Sequence, residues 1–380
     1  MKIYLVGGAV RDELLGRECS DKDYVVVGSS PEEMKSLGFS EVGNTFPVFL
    51  HPETGEEYAL ARREAKEGEG YKGFSCAFTP DVTIKEDLAR RDLTINAIAK
   101  DVDTGEYIDI FDGIQDIKDK MLRATTQSFV EDPLRALRLA RFSAQLNFSV
   151  EEDTLNLAAD IWQKEGHTLP KERVQREFEK ALESDYPHNF MSVVHRLEDS
   201  GPVWFGPLIN NLTINERISI IGSFKDLAGK LYGEELFAAV SIKHFLHLSG
   251  ALNESLPLPN KYLDMEKDVL SLSGGVGLTH LMMQHNFNWK QNFNQGLERF
   301  YKRPERFYQC CKLIEYANLP KWYYFWLTIF KLCFHNVVKM GTKDISKKAI
   351  EEGLQGKEIG DRIEEERTKI INNILELIDE

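Results

Sequence analysis

The sequence predicts an α+β head followed by an all-helical remainder, and three observations carry that expectation. Residues 1–112 hold short apolar runs bounded by turn formers, such as Phe46–Leu50 ahead of Pro52-Glu53-Thr54-Gly55, and Tyr58–Ala61. That is the pattern of strands joined by tight turns. From Gly113 the apolar residues recur at three and four instead: Leu134, Leu137, Leu139 and Phe142, then Val174, Phe178 and Leu182. That spacing belongs to helices, and no confident strand is read beyond residue 113. A chain of 380 residues is also too long for one ordinary core, so two to four domains are expected.

The elements follow in order. Ile3–Val6 is an apolar strand that runs into Gly7-Gly8, and the helix after this pair carries Arg11. A glycine turn at a helix start offers backbone N–H groups to a phosphate. The strand Tyr24–Val27 opens with Asp21 and Asp23. Strand neighbours at i and i+2 point to one face, so the two carboxylates can grip one cation from the same side. Pro31–Leu37 reads as a short helix capped by Ser29 or Ser30. Residues 62–74 are charged and glycine-rich and read as a mobile loop, not an element. Pro133 follows Asp132 and sits well at the first position of a helix. Gly201-Pro202, Gly206-Pro207, residues 252–262 and Gly274-Gly275 mark breaks.

Composition narrows the class. With 42% hydrophobic and 28% charged residues, the chain reads as a soluble globular protein. The longest apolar candidate, Trp322–Phe334, is broken by Lys331, so no membrane span is expected. The chain opens directly into a strand, without the order of a signal peptide, and its five cysteines lack zinc spacing; a cytoplasmic protein with reduced thiols is expected. The net charge of −14 argues against a generic polyanion binder. Basic residues nonetheless cluster, at Arg135, Arg138 and Arg141, at Lys171, Arg173, Arg176 and Lys180, and at Lys302, Arg303 and Arg306.

Three constellations carry chemistry. A phosphate-type turn (Gly8, Arg11) beside paired carboxylates (Asp21, Asp23) suits metal-dependent phosphoryl or nucleotidyl transfer, because Mg²⁺ takes its other ligands from phosphate oxygens and water. Arg91, Asp92 and Asn96 offer a phosphate donor, a hydroxyl acceptor and an amide, the mixture a sugar triphosphate needs. Asp132 and Arg135 lie one helical turn apart, and Arg138 and Arg141 continue a slowly drifting stripe. A carboxylate beside a guanidinium matches a base edge with an amine next to a ring nitrogen. Cytosine and adenine present that edge; uracil and guanine present the opposite pattern and would leave polar groups unpaired.

These residues carry a family resemblance. Leu5–Asp12, Asp21-Lys22-Asp23, Arg90–Ala97, Glu131–Arg135 and Pro170–Glu177 resemble, in this order, the bacterial tRNA nucleotidyltransferases, the CCA-adding enzymes related to bacterial poly(A) polymerases. The resemblance implies a polymerase-β-like nucleotidyltransferase head at 1–112 and a helical neck at 113–185 bearing the base-reading helix. A helical body at 186–300 and a helical tail at 301–380 that contacts tRNA would follow. It implies that Asp21 and Asp23 hold Mg²⁺ and act in catalysis. Gly8 and Arg11 would contact the triphosphate of CTP or ATP. Arg91, Asp92 and Asn96 would handle phosphate and ribose, Asp132 and Arg135 would read the base, and Arg138 and Arg141 would support the nucleotide. Glu57, at the head of the Tyr58–Ala61 strand, is a candidate third carboxylate.

The implied activity is addition and repair of the tRNA 3′ CCA without a nucleic-acid template, with pyrophosphate released. An A-adding, CC-adding or poly(A) polymerase variant is the nearer alternative, and a non-catalytic RNA-binding protein the further one. Val42–Val48 lacks the basic pair associated with the poly(A) branch, and the 62–74 segment resembles one kept by full CCA-adding enzymes. The sequence has no His-Asp dipeptide, so no phosphohydrolase site is expected at His244, His247, His280 or His285. Arg303–Phe307 and Leu354–Gly360 resemble family segments near the tail. Trp322–Trp326 reads as core in preference to a base-stacking platform.

Overall fold

The computed structural model describes the chain except residues 20, 43–47, 67–73, 199–202, 206–212, 244–260, 263, 266, 274–275, 277–296, 298–299, 317–318, 320 and 380. Outside the described residues lie Gly43–Pro47, the centre of the 62–74 segment, both Gly-Pro breaks, most of 252–262, Gly274-Gly275 and the four histidines named above. Two compact units are present: Met1–Ala228 with 251–258, and 229–250 with 259–380.

In the first unit β1 (Lys2–Val6) turns through Gly7 into α1 (Gly8–Leu14), and β2 (Asp23–Val27) follows. Gly7 has φ 69°, the left-handed region where a side chain is strained. Next come α2 (Pro31–Ser36), β3 (Ser40–Val42), β4 (Val48–Leu50) and β5 (Glu57–Leu60). The Ser30 hydroxyl accepts the Glu33 N–H and so caps α2, with Pro31 in its first turn. A hairpin of β6 (Arg63–Lys66) and β7 (Phe74–Ala77) precedes α3 (Ile84–Ala89), whose start is a capping box of Thr83 and Glu86. A 3₁₀ turn at Thr94–Asn96 leads into β8 (Ile98–Asp101) and β9 (Tyr107–Asp109). Seven strands form one sheet in the order β3-β4-β5-β2-β1-β8-β9. Every pairing is antiparallel except β2 with β5, which the intervening chain joins by a crossover.

Alternation along β2 sorts the sheet's faces. Val25 packs in a cluster with Tyr4, Val6, Leu88 and Ala99, and Val26 packs with Met34, Phe49, Tyr58 and Leu60. The first face is thus covered by α3 and the second by α2. Asp23 belongs to the α3 face by its spacing from Val25.

Helices then take over: α4 (Gly113–Asp119), α5 (Leu134–Leu146), α6 (Glu152–Glu165), α7 (Lys171–Leu182), α8 (Pro187–Leu197) and α9 (Ile214–Leu227). The apolar period expected from the sequence buries Leu134, Leu137, Leu139, Phe142, Val174, Phe178 and Leu182. The α5 helix is the hub, packed on α6, α7 and α8. Its assigned start is Leu134, one residue later than expected, but the Asp132 carboxylate still accepts the Leu134 N–H at 2.9 Å.

Two sequence readings need correction. The 62–74 segment is not wholly a loop, because its described ends, 63–66 and 74, belong to the β6–β7 hairpin. Arg-Glu-Ala-Lys has weak strand propensity, and the cross-strand partner overrides it. Strands also occur beyond residue 113: β10 (Met121–Leu122) pairs in parallel with β11 (Ser149–Val150). At two residues each, they are too short for any period to reveal.

The described parts of the second unit include α10 (Gly233–Lys243), α11 (Pro304–Tyr316), α12 (Lys321–Met340), α13 (Lys343–Glu351) and α14 (Lys357–Asp379). Phe307 and Phe334 stack with ring centroids 3.9 Å apart. Asp268 is fully buried and accepts the Arg306 Nε at 3.0 Å, with Arg303 at 3.5 Å. Arg306 is therefore a packing cation. Tyr323 and Trp326 are core, as expected, whereas Phe325 is 54% exposed. Cys19, Cys310, Cys311 and Cys333 form no disulfide, and burial pushes the Cys311 and Cys333 thiols up to about 12. No helix among the described residues is long and apolar enough to cross a membrane.

Candidate nucleotide and metal site

The sheet register builds the acidic part of the site. Asp23 opposes Val6 of β1 on one side and Glu57 of β5 on the other. Parallel neighbours in register carry their side chains on one face, so Glu57 stands beside Asp23. β2 begins at Asp23, so strand alternation does not extend to Asp21 as the sequence reading had it. Electrostatics still ties the three together. The Asp23 carboxyl is pushed above its ordinary value by desolvation first, then by the charge of Glu57; Arg91 opposes, and Asp21 adds to the rise. Asp23 is exposed at its surface, yet the desolvation cause shows protein crowding beyond its immediate contacts. None of the three carboxylates has a salt-bridge partner among the described residues.

No three His, Cys, Asp or Glu side chains among the described residues are grouped closely enough to hold a metal by themselves. A pair of carboxylates without a salt-bridge partner, standing side by side, is nevertheless the donor set a hard cation completes with phosphate oxygens and water. Glu57→Gln is expected to lower the Asp23 pKa towards its ordinary value, because one like charge disappears. An NMR titration of the Asp23 carboxyl should show its midpoint moving to lower pH. An unmoved midpoint would mean that Glu57 does not act on Asp23.

Above the glycine turn lie two guanidinium groups. A Cβ added to Gly7 would meet Arg91 Nη1 at 3.3 Å, and one added to Gly8 would meet Arg11 Nη2 at 3.5 Å. Arg91 Nη2 donates to Asp87 at 3.1 Å, while Arg91 Nε is buried and donates to nothing in the described structure. An unsatisfied buried donor is costly and marks a place where an acceptor is missing.

The next layer is a connected network. Arg11 is held by Asp12 and donates Nη1 to Asn96 Oδ1 at 2.8 Å. Asn96 Nδ2 donates to Asp92 Oδ1 at 3.2 Å, and Arg138 Nε donates to Asp92 Oδ2 at 2.7 Å. Burial would raise the Asp92 carboxyl, but the Arg138 charge and hydrogen bond, with Asn96, hold it well below the usual carboxylate range. Asp92 and Asn96 are buried, so each faces its protein partners. The 3₁₀ turn that carries Asn96 is fixed from behind. Thr94 donates to the buried Asp116, and Gly113 packs so close that a Cβ there would lie 2.2 Å from the Thr94 carbonyl oxygen. Phe142 collects three guanidinium groups around its ring: Arg141 at 4.0 Å, Arg11 at 5.2 Å and Arg138 at 5.4 Å.

The structure separates two groups that the sequence pairs. Arg135 donates Nη1 to the Ser128 carbonyl at 2.5 Å and Nη2 to the Arg90 carbonyl at 2.7 Å. Asp132 accepts from Arg173 Nη2 at 3.2 Å. The two share a helical turn, but each side chain is engaged elsewhere. Arg141 is buried and held by Glu177 at 2.5 Å and Gln145 at 2.6 Å, so its guanidinium serves the helix packing. Arg11, Asn96, Asp92 and Arg138 form one hydrogen-bonded chain, Gly8 lies against Arg11, and Arg91 lies against Gly7 and acts on Asp23 through its charge.

Sequence reasoning missed Asp87, Asp12 and Phe142. Asp87 precedes Arg90 and Arg91 by three and four residues, the spacing of helical ion pairs, which was a usable signal. Phe142 was visible only as one more apolar position of α5.

The chain is similar to known proteins in sequence and in fold. The poly A polymerase head domain family matches residues 3–123. A "Multifunctional CCA protein" of Stenotrophomonas maltophilia (strain R551-3) is 52% identical over 265 residues, covering 65% of this chain and 64% of that protein. A protein of the same description from Mannheimia succiniciproducens is 53% identical over 198 residues, 51% of this chain and 47% of its own length. The chain thus spans less than two thirds of these curated relatives. The Bacillus stearothermophilus CCA-adding enzyme in complex with CTP shares the fold, with a TM-score of 0.65 at 24% identity, covering 98% of this chain and 89% of that one.

Proposed function

We propose that this chain, whose residues 3–123 carry a poly A polymerase head domain, is a tRNA nucleotidyltransferase. It adds and repairs the 3′-terminal CCA of tRNA from CTP and ATP without a nucleic-acid template and releases pyrophosphate. The observation that carries this reading is the junction of the Asp23–Glu57 carboxylate pair with the Arg91 donor that has no acceptor, above the Gly7 turn. Identity of 52% to a "Multifunctional CCA protein" supports it. A cytoplasmic site of action follows from the tRNA substrate.

The reaction is attack of the tRNA 3′ hydroxyl oxygen on the α-phosphorus of the incoming nucleotide. A P–O bond forms from the α-phosphorus to the ribose oxygen, the α-phosphorus bond to the oxygen bridging to the β-phosphate breaks with its electrons leaving on pyrophosphate, and the hydroxyl proton passes to solvent water. Asp21 and Asp23 would hold Mg²⁺, with Glu57 as a nearby third carboxylate. When bound, the ion lowers the pKa of the hydroxyl and stabilises the leaving phosphates. Arg91 and Arg11 cradle the triphosphate over the backbone N–H groups of Gly8 and the turn. Asp92 and Asn96 act from behind the nucleotide, holding Arg138 and Arg11 in place. Asp132 would present the acceptor for the base edge once a nucleotide displaces Arg173, and Arg135 the donor, through the N–H groups that the Ser128 and Arg90 carbonyls do not take. Arg138 bounds the same pocket, and Arg141 supports it through Glu177. Catalysis is mainly positioning and charge stabilisation.

The domain reading that goes with this function keeps the head at 1–112 and the neck at 113–185. The body at 186–300 and a tRNA-contacting tail at 301–380 follow. tRNA would be recognised by shape and phosphates, with strong salt dependence.

The direct test incubates the protein with Mg²⁺, a tRNA lacking CCA, and each nucleotide in turn. The expected result is addition of two C and then one A, with none from UTP or GTP. Products that stop after C-C, or that extend as A alone, would replace this reading with a narrower transferase.

A further inference from the structure

One carboxylate in the first unit lies outside every role assigned above. Asp87, on the last turn of α3, is 0% exposed. Its Oδ1 accepts Arg90 Nε at 3.0 Å and Nη2 at 2.6 Å, and the Arg62 backbone N–H at 3.3 Å. Its Oδ2 accepts Arg91 Nη2 at 3.1 Å. Burying a charge of this kind is costly unless it is fully bonded, and here two guanidinium groups share it.

The backbone beside Asp87 faces the other way. The last carbonyls of a helix have no partner within it. At the end of α3, the Ala89 carbonyl accepts the hydroxyls of Thr126 and Ser128, at 3.0 and 3.1 Å. The Arg90 carbonyl accepts Arg135 Nη2 at 2.7 Å. Ser128 in turn gives its own carbonyl to Arg135 Nη1. One short segment, residues 87–91, thus holds Arg91 over the glycine turn through a side chain and Arg135 through the main chain.

We propose that Asp87 is a positioning residue that joins the phosphate-facing Arg91 and the base-facing Arg135 into one unit. Correct placement of the triphosphate and correct reading of the base then depend on the same buried carboxylate. This rests on the nucleotidyltransferase reading above.

The substitution that isolates it is Asp87→Asn. Asparagine keeps the size and one acceptor oxygen, which can still serve Arg90 and Arg62. Its amide nitrogen then confronts Arg91 Nη2, donor against donor. Loss of a hydrogen bond to a charged group of this kind corresponds to roughly tenfold or more. The expected result is a rise of about tenfold in KM for CTP and ATP alike, with a smaller change in kcat and more UTP misincorporation.

A purely structural role is separated by a double-mutant cycle with Arg91→Lys. If Asp87 acts through Arg91, Asp87→Asn adds little to the KM of the Arg91→Lys enzyme. Additive effects, or a KM within twofold of the parent at unchanged melting temperature, would overturn the proposal. Should the asparagine variant fail to fold, Asp87→Glu enters the same cycle; it keeps the charge while moving it, and the same non-additivity is expected. Equilibrium binding of CTP without tRNA is measured alongside. A parent chain that binds CTP but extends no tRNA defeats the transferase reading, and the Asp87 cycle is then decided on the CTP dissociation constants.

Discussion

Replacing Asp21 and Asp23 together by alanine is expected to lower nucleotide incorporation by at least about a thousandfold, the several kcal/mol that a bound cation supplies to charge in the transition state. The reason lies in what surrounds them. No salt bridge neutralises either side chain among the described residues, and Glu57 stands in register beside Asp23. The same variant should not melt lower than the parent when no metal is added. Asp23 holds its proton to higher pH in the folded chain than in the unfolded one, so its ionisation works against the fold as pH rises through the carboxylate range. At neutral pH, removing that charge relieves repulsion. Steady-state incorporation of labelled CTP and ATP, with a thermal melt in chelator, reads both halves. Incorporation within tenfold of the parent would dismiss these carboxylates as the metal site, and a large drop in melting temperature would mean that they are structural.

Arg135→Ala carries the second large expectation. Discrimination for C and A over U and G should fall by about a hundredfold, because a buried polar edge with a missing partner no longer penalises the wrong base. The structure adds a condition that sequence reasoning lacked. Arg135 now donates to the Ser128 and Arg90 carbonyls, so alanine also leaves two acceptors without donors. Overall kcat/KM should therefore fall along with selectivity. Competition between CTP and UTP on a tRNA lacking CCA measures the first, and single-nucleotide kinetics the second. A loss of rate with selectivity intact would reduce Arg135 to a brace for the end of α3.

Local signals served the fold well. Gly7, the β1 and β2 runs and the cap at Ser30 are short-range features, and each lies within a residue or so of where the sequence puts it. The hairpin at 63–66 and 74–77 was hidden because its first strand, Arg63–Lys66, has little strand propensity and owes its form to a partner. The site was legible as a set of residues but not as a set of bonds. Arg11 meets Asn96 from 85 positions away, and Arg138 meets Asp92 from 46. Such pairings depend on the packing of the α1 and α5 helices, which no local pattern encodes. The Asp132–Arg135 spacing suggested a ready-made pair, whereas the packing of α7 and α3 supplies each with another partner.

The register of β2 on β5 has a consequence for assembly of the head. Side chains alternate strictly along a strand, so sliding either strand by one residue would put Asp23 and Glu57 on opposite faces of the sheet. No pairing shifted by one residue keeps Asp23 and Glu57 side by side on one face. A cation held by both would therefore favour the native pairing over its one-residue neighbours. A cation site built from these two carboxylates would then double as a check on its own scaffold.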